Sequence, residues 1–110
     1  MPVDITDQLT SFYSRAEKDY RIDKIHMNIF LALLELKNRQ KTSPFRISRK
    51  MIMRLSKVKG ISTYHKCIND LVAYRYIVYK PSYHPGIQTT VCFLNEDPHV
   101  QSQEPAAANA

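Results

Sequence analysis

The sequence predicts a mainly α-helical α+β domain closed by a small antiparallel β-hairpin, and three observations predict it. Apolar residues recur at three-and-four spacing in separate segments through the first two thirds of the chain, the signature of amphipathic helices. Thr42, Ser43, Pro44 and Gly60 interrupt those segments. Aromatic and β-branched residues then gather at residues 76–80 and 88–94, on either side of a stretch holding Pro81, Pro85 and Gly86, as the two arms of a hairpin would. At 110 residues the chain has room for one modest core and little for an elaborate enzyme cleft.

Ile5, Leu9, Phe12, Tyr13, Ala16 and Tyr20 define a first helix, with Asp4 or Thr6 able to cap it. Its polar face (Asp7, Gln8, Ser11, Arg15, Lys18, Asp19) has mixed sign. The apolar stripe must pack either on the domain or on a second copy, which makes those six residues candidate homodimer contacts. A second helix over 23–39 places Ile25, Ile29, Leu33 and Leu36 on one line, widened by Phe30 and Leu34, as a central core helix would. Phe45, Arg46 and Ile47 then alternate apolar, basic, apolar, as a short strand able to join the hairpin.

Ser48 is a natural N-cap for a third helix reaching about Val58, with Ile47, Met51, Ile52, Leu55 and Val58 inward and Arg49, Lys50, Arg54 and Lys57 outward. Gly60 is expected to end it in the left-handed conformation. Ser62 is expected to cap a fourth helix running to Ala73 or Tyr74 and burying Tyr64, Cys67, Ile68, Leu71 and Val72. From residue 95 onward no apolar period remains, so a disordered tail is expected. The expected organisation is a helical element over 1–22, a main domain over 23–94 and a tail over 95–110.

Charge is placed, not spread. Residues 1–36 carry 4 basic and 6 acidic side chains, while residues 37–80 carry 12 Lys or Arg against one acid, Asp70. A compact basic surface of this kind suits a polyanion. Cys67 and Cys92 fall inside apolar patterns and no basic-then-apolar leader is present, so reduced thiols in a cytoplasmic protein are expected. The longest apolar run, residues 29–34, is far short of the roughly 20 residues that cross a bilayer.

Over residues 23–94 the order helix, short strand, helix, turn, helix, two-stranded wing resembles the winged helix-turn-helix family. The stretch from Ile61 through Ser62, Thr63, Tyr64, His65, Lys66, Cys67, Ile68 and Asn69 to Tyr76 and Ile77 resembles that family's recognition helix running into the first wing strand. Pro81-Ser82-Tyr83-His84-Pro85 is similar to small winged-helix proteins of bacterial mobile elements. The resemblance implies a sequence-specific double-stranded DNA-binding protein, a transcriptional regulator, with a recognition helix at 62–74 in the major groove and a wing at 76–94.

On the helical wheel defined by Ile68, Leu71 and Val72, the outward positions are Thr63, Lys66, Asn69 and Asp70, with Ser62 and His65 at the margins. Lys66 can donate to guanine, Asn69 can pair with adenine, and Thr63 can touch a thymine methyl, so these three are the expected base contacts. Asp70 repels phosphate and is expected at the groove edge or against an internal basic partner. Arg46, Arg49, Lys50, Arg54, Lys57 and Lys59, with Ser62 and His65, are expected on the DNA backbone, where they supply affinity without reading sequence. Lys80, Ser82, Tyr83 and His84 are the expected wing contacts.

Blander readings compete. Each polar residue of the fourth helix can be part of a solvated face, and a basic surface can serve solubility. A winged helix can also act as a protein-interaction scaffold, here through Tyr76, Tyr79 and Tyr83, or as a replication or excision accessory of a mobile element. Catalysis and cofactors are not expected: His65 and Cys67 point different ways on a helix, two glycines cannot build a phosphate-cradling loop, and no nucleophile stands beside a base. The chain therefore reads as a non-enzyme without metal or cofactor.

Overall fold

Asp23 caps the helix that packs against each of the other three helices. The computed structural model describes residues 5–81 and 88–94; the expected tail, the Asp4 cap, and the wing residues Ser82, Tyr83 and His84 lie outside the described residues. Four helices and three strands follow in the order α1 (Ile5–Ala16), α2 (Lys24–Gln40), β1 (Phe45–Arg46), α3 (Arg49–Ser56), α4 (Ile61–Ala73), β2 (Ile77–Lys80) and β3 (Thr90–Phe93). Among the described residues no helix is long and apolar enough to cross a membrane.

The Asp23 side chain accepts the Ile25 and His26 N–H groups, and the His26 ring accepts the Asp23 N–H at 3.1 Å, a reciprocal capping box that satisfies donors left over by any helix start. Ile29, Phe30, Leu33, Leu34 and Leu36 of α2 are buried, as the apolar period requires. Lys37, one of the twelve basic residues, is buried with them and does not belong to the charged surface.

The sheet has the order β1-β3-β2, with both pairs antiparallel. Phe45 and Tyr79 flank Val91, and Arg46 and Lys80 flank Thr90, so each set forms one cross-strand row. The short strand expected at 45–47 thus pairs with the far arm of the hairpin. Gln40 holds its outer edge: its Oε1 accepts the Arg46 N–H at 2.8 Å and its Nε2 donates to the Arg46 carbonyl at 2.7 Å, in the manner of a neighbouring strand.

An aromatic chain ties the layers together. Phe12 stacks on Phe30 at 3.9 Å, Phe30 meets Phe93 at 5.0 Å, and Phe93 meets Phe45 at 5.5 Å. Phe12 and Ala16 of the candidate dimer stripe are therefore spent on the chain's own core, against which Ile5 and Leu9 also pack. Tyr13 is left partly exposed, and Tyr20, expected on the stripe, lies beyond the helix end at 96% exposure. Gln8, expected on the polar face, is buried.

The turn after α1 is held by Asp19, whose carboxylate takes the Arg21 N–H, the Arg21 guanidinium and the Tyr76 hydroxyl. The Arg21 bond holds its carboxyl well below the usual range against the opposing effect of burial, and the Tyr76 hydroxyl adds to the lowering.

Two expected helix boundaries are corrected. α3 stops at Ser56, and Lys57, not Gly60, takes the left-handed conformation, at φ 66°. Gly60 instead caps α4 with an extended backbone, so Ser62 lies inside the first turn. The reason is spacing: eight residues already bury Ile52 and Ser56, and the chain must reverse at once for Gly60 to accept the Tyr64 N–H at 3.0 Å.

Candidate nucleic-acid interface

α3 begins at Ser48, whose hydroxyl accepts the Met51 N–H at 3.1 Å, as expected of an N-cap. With Ile52 and Ser56 turned inward, Lys50 and Arg54 stand exposed on the outer face, Arg49 is exposed at the helix start on the side of Ser56, and Lys57 and Lys59 follow in the turn. Arg46 is exposed on β1, its backbone pinned by Gln40. None of these six forms an ion pair with a described carboxylate, unlike Arg39, which pairs with Glu35 at 2.7 Å. Uncompensated cations held apart by a rigid backbone make a surface that attracts phosphate.

α4 starts without a side-chain cap, so the N–H groups of its first turn have no partner within the helix. They open beside a cleft of about 350 Å³ lined by Asn28, Lys57, Lys59, Gly60 and Thr63. At the start of α3, by contrast, the Ser48 hydroxyl already takes one donor.

Tyr64, Cys67, Ile68 and Leu71 are the buried side of α4. At about 100° per residue the opposite line is Ser62, Lys66 and Asn69, and all three are exposed. Val72, expected inside, is 36% exposed, so the outward face is rotated from the expected one. Ser62 moves from the margin to the centre. Thr63 moves from the centre to the α2 side, half-buried and lining the cleft with Ile25 and Asn28. His65 remains exposed on the opposite flank.

Asp70 also faces α2, where its Oδ2 accepts from the His26 Nε2 at 2.8 Å and from the Lys66 Nζ at 2.9 Å. Burial pushes the Asp70 carboxyl up, but the bonds from His26 and Lys66 outweigh it and the group ends below its ordinary value of 3.8. The internal basic partner expected for Asp70 is thus a pair, one buried and one exposed. Burial also raises the Cys67 thiol, in keeping with a packing role.

At the root of the hairpin, burial first and the neighbouring Tyr79 phenol second push the Tyr64 hydroxyl up to about 12, against an opposing effect of Arg49. Lys80 is half-buried in the row it shares with Thr90 and Arg46. Tyr76, a candidate docking residue, is buried at 4% exposure and is removed from any interaction surface.

His26 was missed from the sequence, although Asp23 three residues before it at the start of an apolar run has capping-box spacing. A cation–aromatic cluster was missed as well: the Arg15 guanidinium lies 3.9 Å over the Tyr76 ring and bonds the Tyr74 and Arg75 carbonyls, and Arg21 lies 4.0 Å over Tyr74. The Arg15 contacts join residues about sixty positions apart, and no local pattern announces the cluster. Among the described residues no group of three or more His, Cys, Asp or Glu could hold a metal.

The chain matches no family model, no curated protein and no solved structure.

Proposed function

We propose that this chain is a sequence-specific double-stranded DNA-binding protein of winged helix-turn-helix architecture that acts as a transcriptional regulator. The observation that carries the reading is the exposure of six cations, Arg46, Arg49, Lys50, Arg54, Lys57 and Lys59, none paired with a described carboxylate, in the segment that leads into α4, whose own outward line of Ser62, Lys66 and Asn69 is polar and exposed. The element order and the three-stranded sheet β1-β3-β2 fit that architecture.

In this reading α4 enters the major groove, with Lys66 and Asn69 on base edges and Thr63 at the side of the helix nearest α2. The six cations, with Ser62, His65 and the uncapped first turn of α4, take phosphates, which fixes register and supplies most of the affinity. Lys80 contacts the backbone from the wing. Exposed Tyr13 and Tyr20 are what remains of the stripe for pairing two copies on an inverted repeat.

Selection of bound duplexes from a random DNA pool, at low and at physiological salt, tests the reading. An enriched motif with a steep loss of affinity on adding NaCl is the expected result. Salt-insensitive binding, or no enrichment, would overturn it in favour of a protein-interaction scaffold.

A further inference from the structure

Asp70 is the sole acid among residues 37–80, and it sits on the helix assigned to the groove. A carboxylate facing a polyanion weakens binding, so its placement calls for a physical reason. The structure offers one in three linked contacts. His26, 3% exposed on α2, directs Nε2 at Asp70 Oδ2, 2.8 Å away, and the same oxygen accepts from the exposed Lys66 ammonium at 2.9 Å.

The His26 ring is itself fixed. Its Nδ1 accepts the Asp23 N–H, which assigns the ring proton to Nε2; in a doubly protonated ring Nδ1 would instead donate to Asp23 Oδ1, 2.9 Å away. In both forms Nε2–H points at Asp70. The Asp70 carboxylate is therefore anchored from another helix and is not left to solvent.

The anchoring matters because Lys66 and Asp70 would make a weak pair alone. Exposed helix pairs at this spacing contribute little, and the basic-before-acidic order is the poorer one. A fixed acceptor removes much of the entropy cost of holding the pair. It also occupies one of the three ammonium donors and leaves two for base acceptors.

We infer that Asp70, held by His26, is a positioning residue for DNA readout: it restrains the Lys66 ammonium along α4 and cancels its pull on phosphate, so that Lys66 contributes to base selection more than to nonspecific affinity. This rests on the DNA-binding reading. Freed from Asp70, Lys66 reaches any phosphate, and nonspecific affinity rises at the expense of discrimination.

Fluorescence anisotropy with two labelled duplexes of equal length, one recovered by selection with the wild-type chain and one of scrambled sequence, tests this across a NaCl series. The proteins are the full chain as wild type, Asp70→Asn, Lys66→Ala and the double variant, each checked for native circular dichroism. Asp70→Asn is expected to tighten binding to the scrambled duplex, to steepen its salt dependence by about one counterion, and to lower the preference for the selected duplex by about threefold or more. In the Lys66→Ala background the same substitution should leave that preference unchanged.

An equal effect in both backgrounds would make Asp70 a plain repulsive charge, and an unchanged preference in Asp70→Asn would also overturn the inference while leaving the DNA-binding reading in place. If the wild type binds neither duplex, the reading and the inference fall together. Should Asp70→Asn not fold, His26→Gln carries the test, with the same direction expected and no change in preference overturning it.

Discussion

Phe12 of α1 stacks face to face on Phe30 of α2, with ring centroids 3.9 Å apart and planes at 12°. This contact is the aromatic anchor of the first helix on the core built on the second, alongside the packing of Ala16, Ile5 and Leu9. Phe12→Ala should cost about 3–4 kcal/mol, a large share of the 5–15 kcal/mol that holds a domain folded. The loss should be the same at low and high protein concentration in urea denaturation. A strongly concentration-dependent loss would instead put Phe12 at an interface between copies.

Lys57 adopts φ 66°, a left-handed conformation that costs a side chain roughly 1–2 kcal/mol and glycine very little. Lys57→Gly is thus expected to raise stability by up to about 1 kcal/mol, once the extra freedom of glycine in the unfolded chain is counted. The same change removes an exposed cation and, within the DNA-binding reading, should weaken binding to duplex DNA. Stability and affinity moving in opposite directions, read by thermal unfolding and anisotropy, is the expected signature.

Asp19, Asp23 and Asp70 all lie below their ordinary value of 3.8 in the folded chain. A group whose folded pKa is depressed contributes stability that is complete above its unfolded pKa and is lost as pH falls through the folded one. The stability these three carboxylates contribute should be complete above about pH 5 and decline through the region below 3.8. Asp70→Asn should flatten that decline when unfolding is followed by circular dichroism across pH.

Tyr64 and Tyr76 are both pushed up to about 12, first by burial, and for Tyr76 also by the hydrogen bond it donates to Asp19. For an acid whose folded pKa is raised, stability is present below the unfolded value of 10 and lost as pH rises toward 12. Ultraviolet titration should show the Tyr64 and Tyr76 phenols ionising only as the pH approaches 12, together with alkaline unfolding. Ionisation of these two near pH 10 with the fold intact, read as the signal lost in Tyr64→Phe and Tyr76→Phe, would contradict their burial.

Within the DNA-binding reading, Arg49→Ala and Arg54→Ala should each weaken binding to every duplex alike and reduce the salt slope by about one. Asn69→Ala should leave the slope almost unchanged and cost about 1–3 kcal/mol of discrimination at one base position. A uniform, salt-dependent effect of Asn69→Ala would move it from base readout to backbone contact.

Much of the fold was legible because helix and strand periods are local. The stripe Ile29, Phe30 and Leu33 marked α2 as the core helix, Ser48 marked the start of α3, and the short strand at Phe45 found its partner in the hairpin. The orientation of α4 was less legible. Val72 looks apolar enough to be buried, and only the position of neighbouring helices leaves it partly exposed and rotates Thr63 toward α2.

What the sequence by itself determined is the list of elements and the placement of charge, because both follow from residues close together in the chain: the apolar period, the caps, and twelve cations against one acid. What only the tertiary structure decided is which of those residues share a surface and which are consumed by packing. Phe12 turned inward, Lys37 was buried, and Asp70 found His26 forty-four residues away. Such pairings depend on how helices cross, and the energy of a carboxylate next to a buried imidazole exists only once two helices have docked.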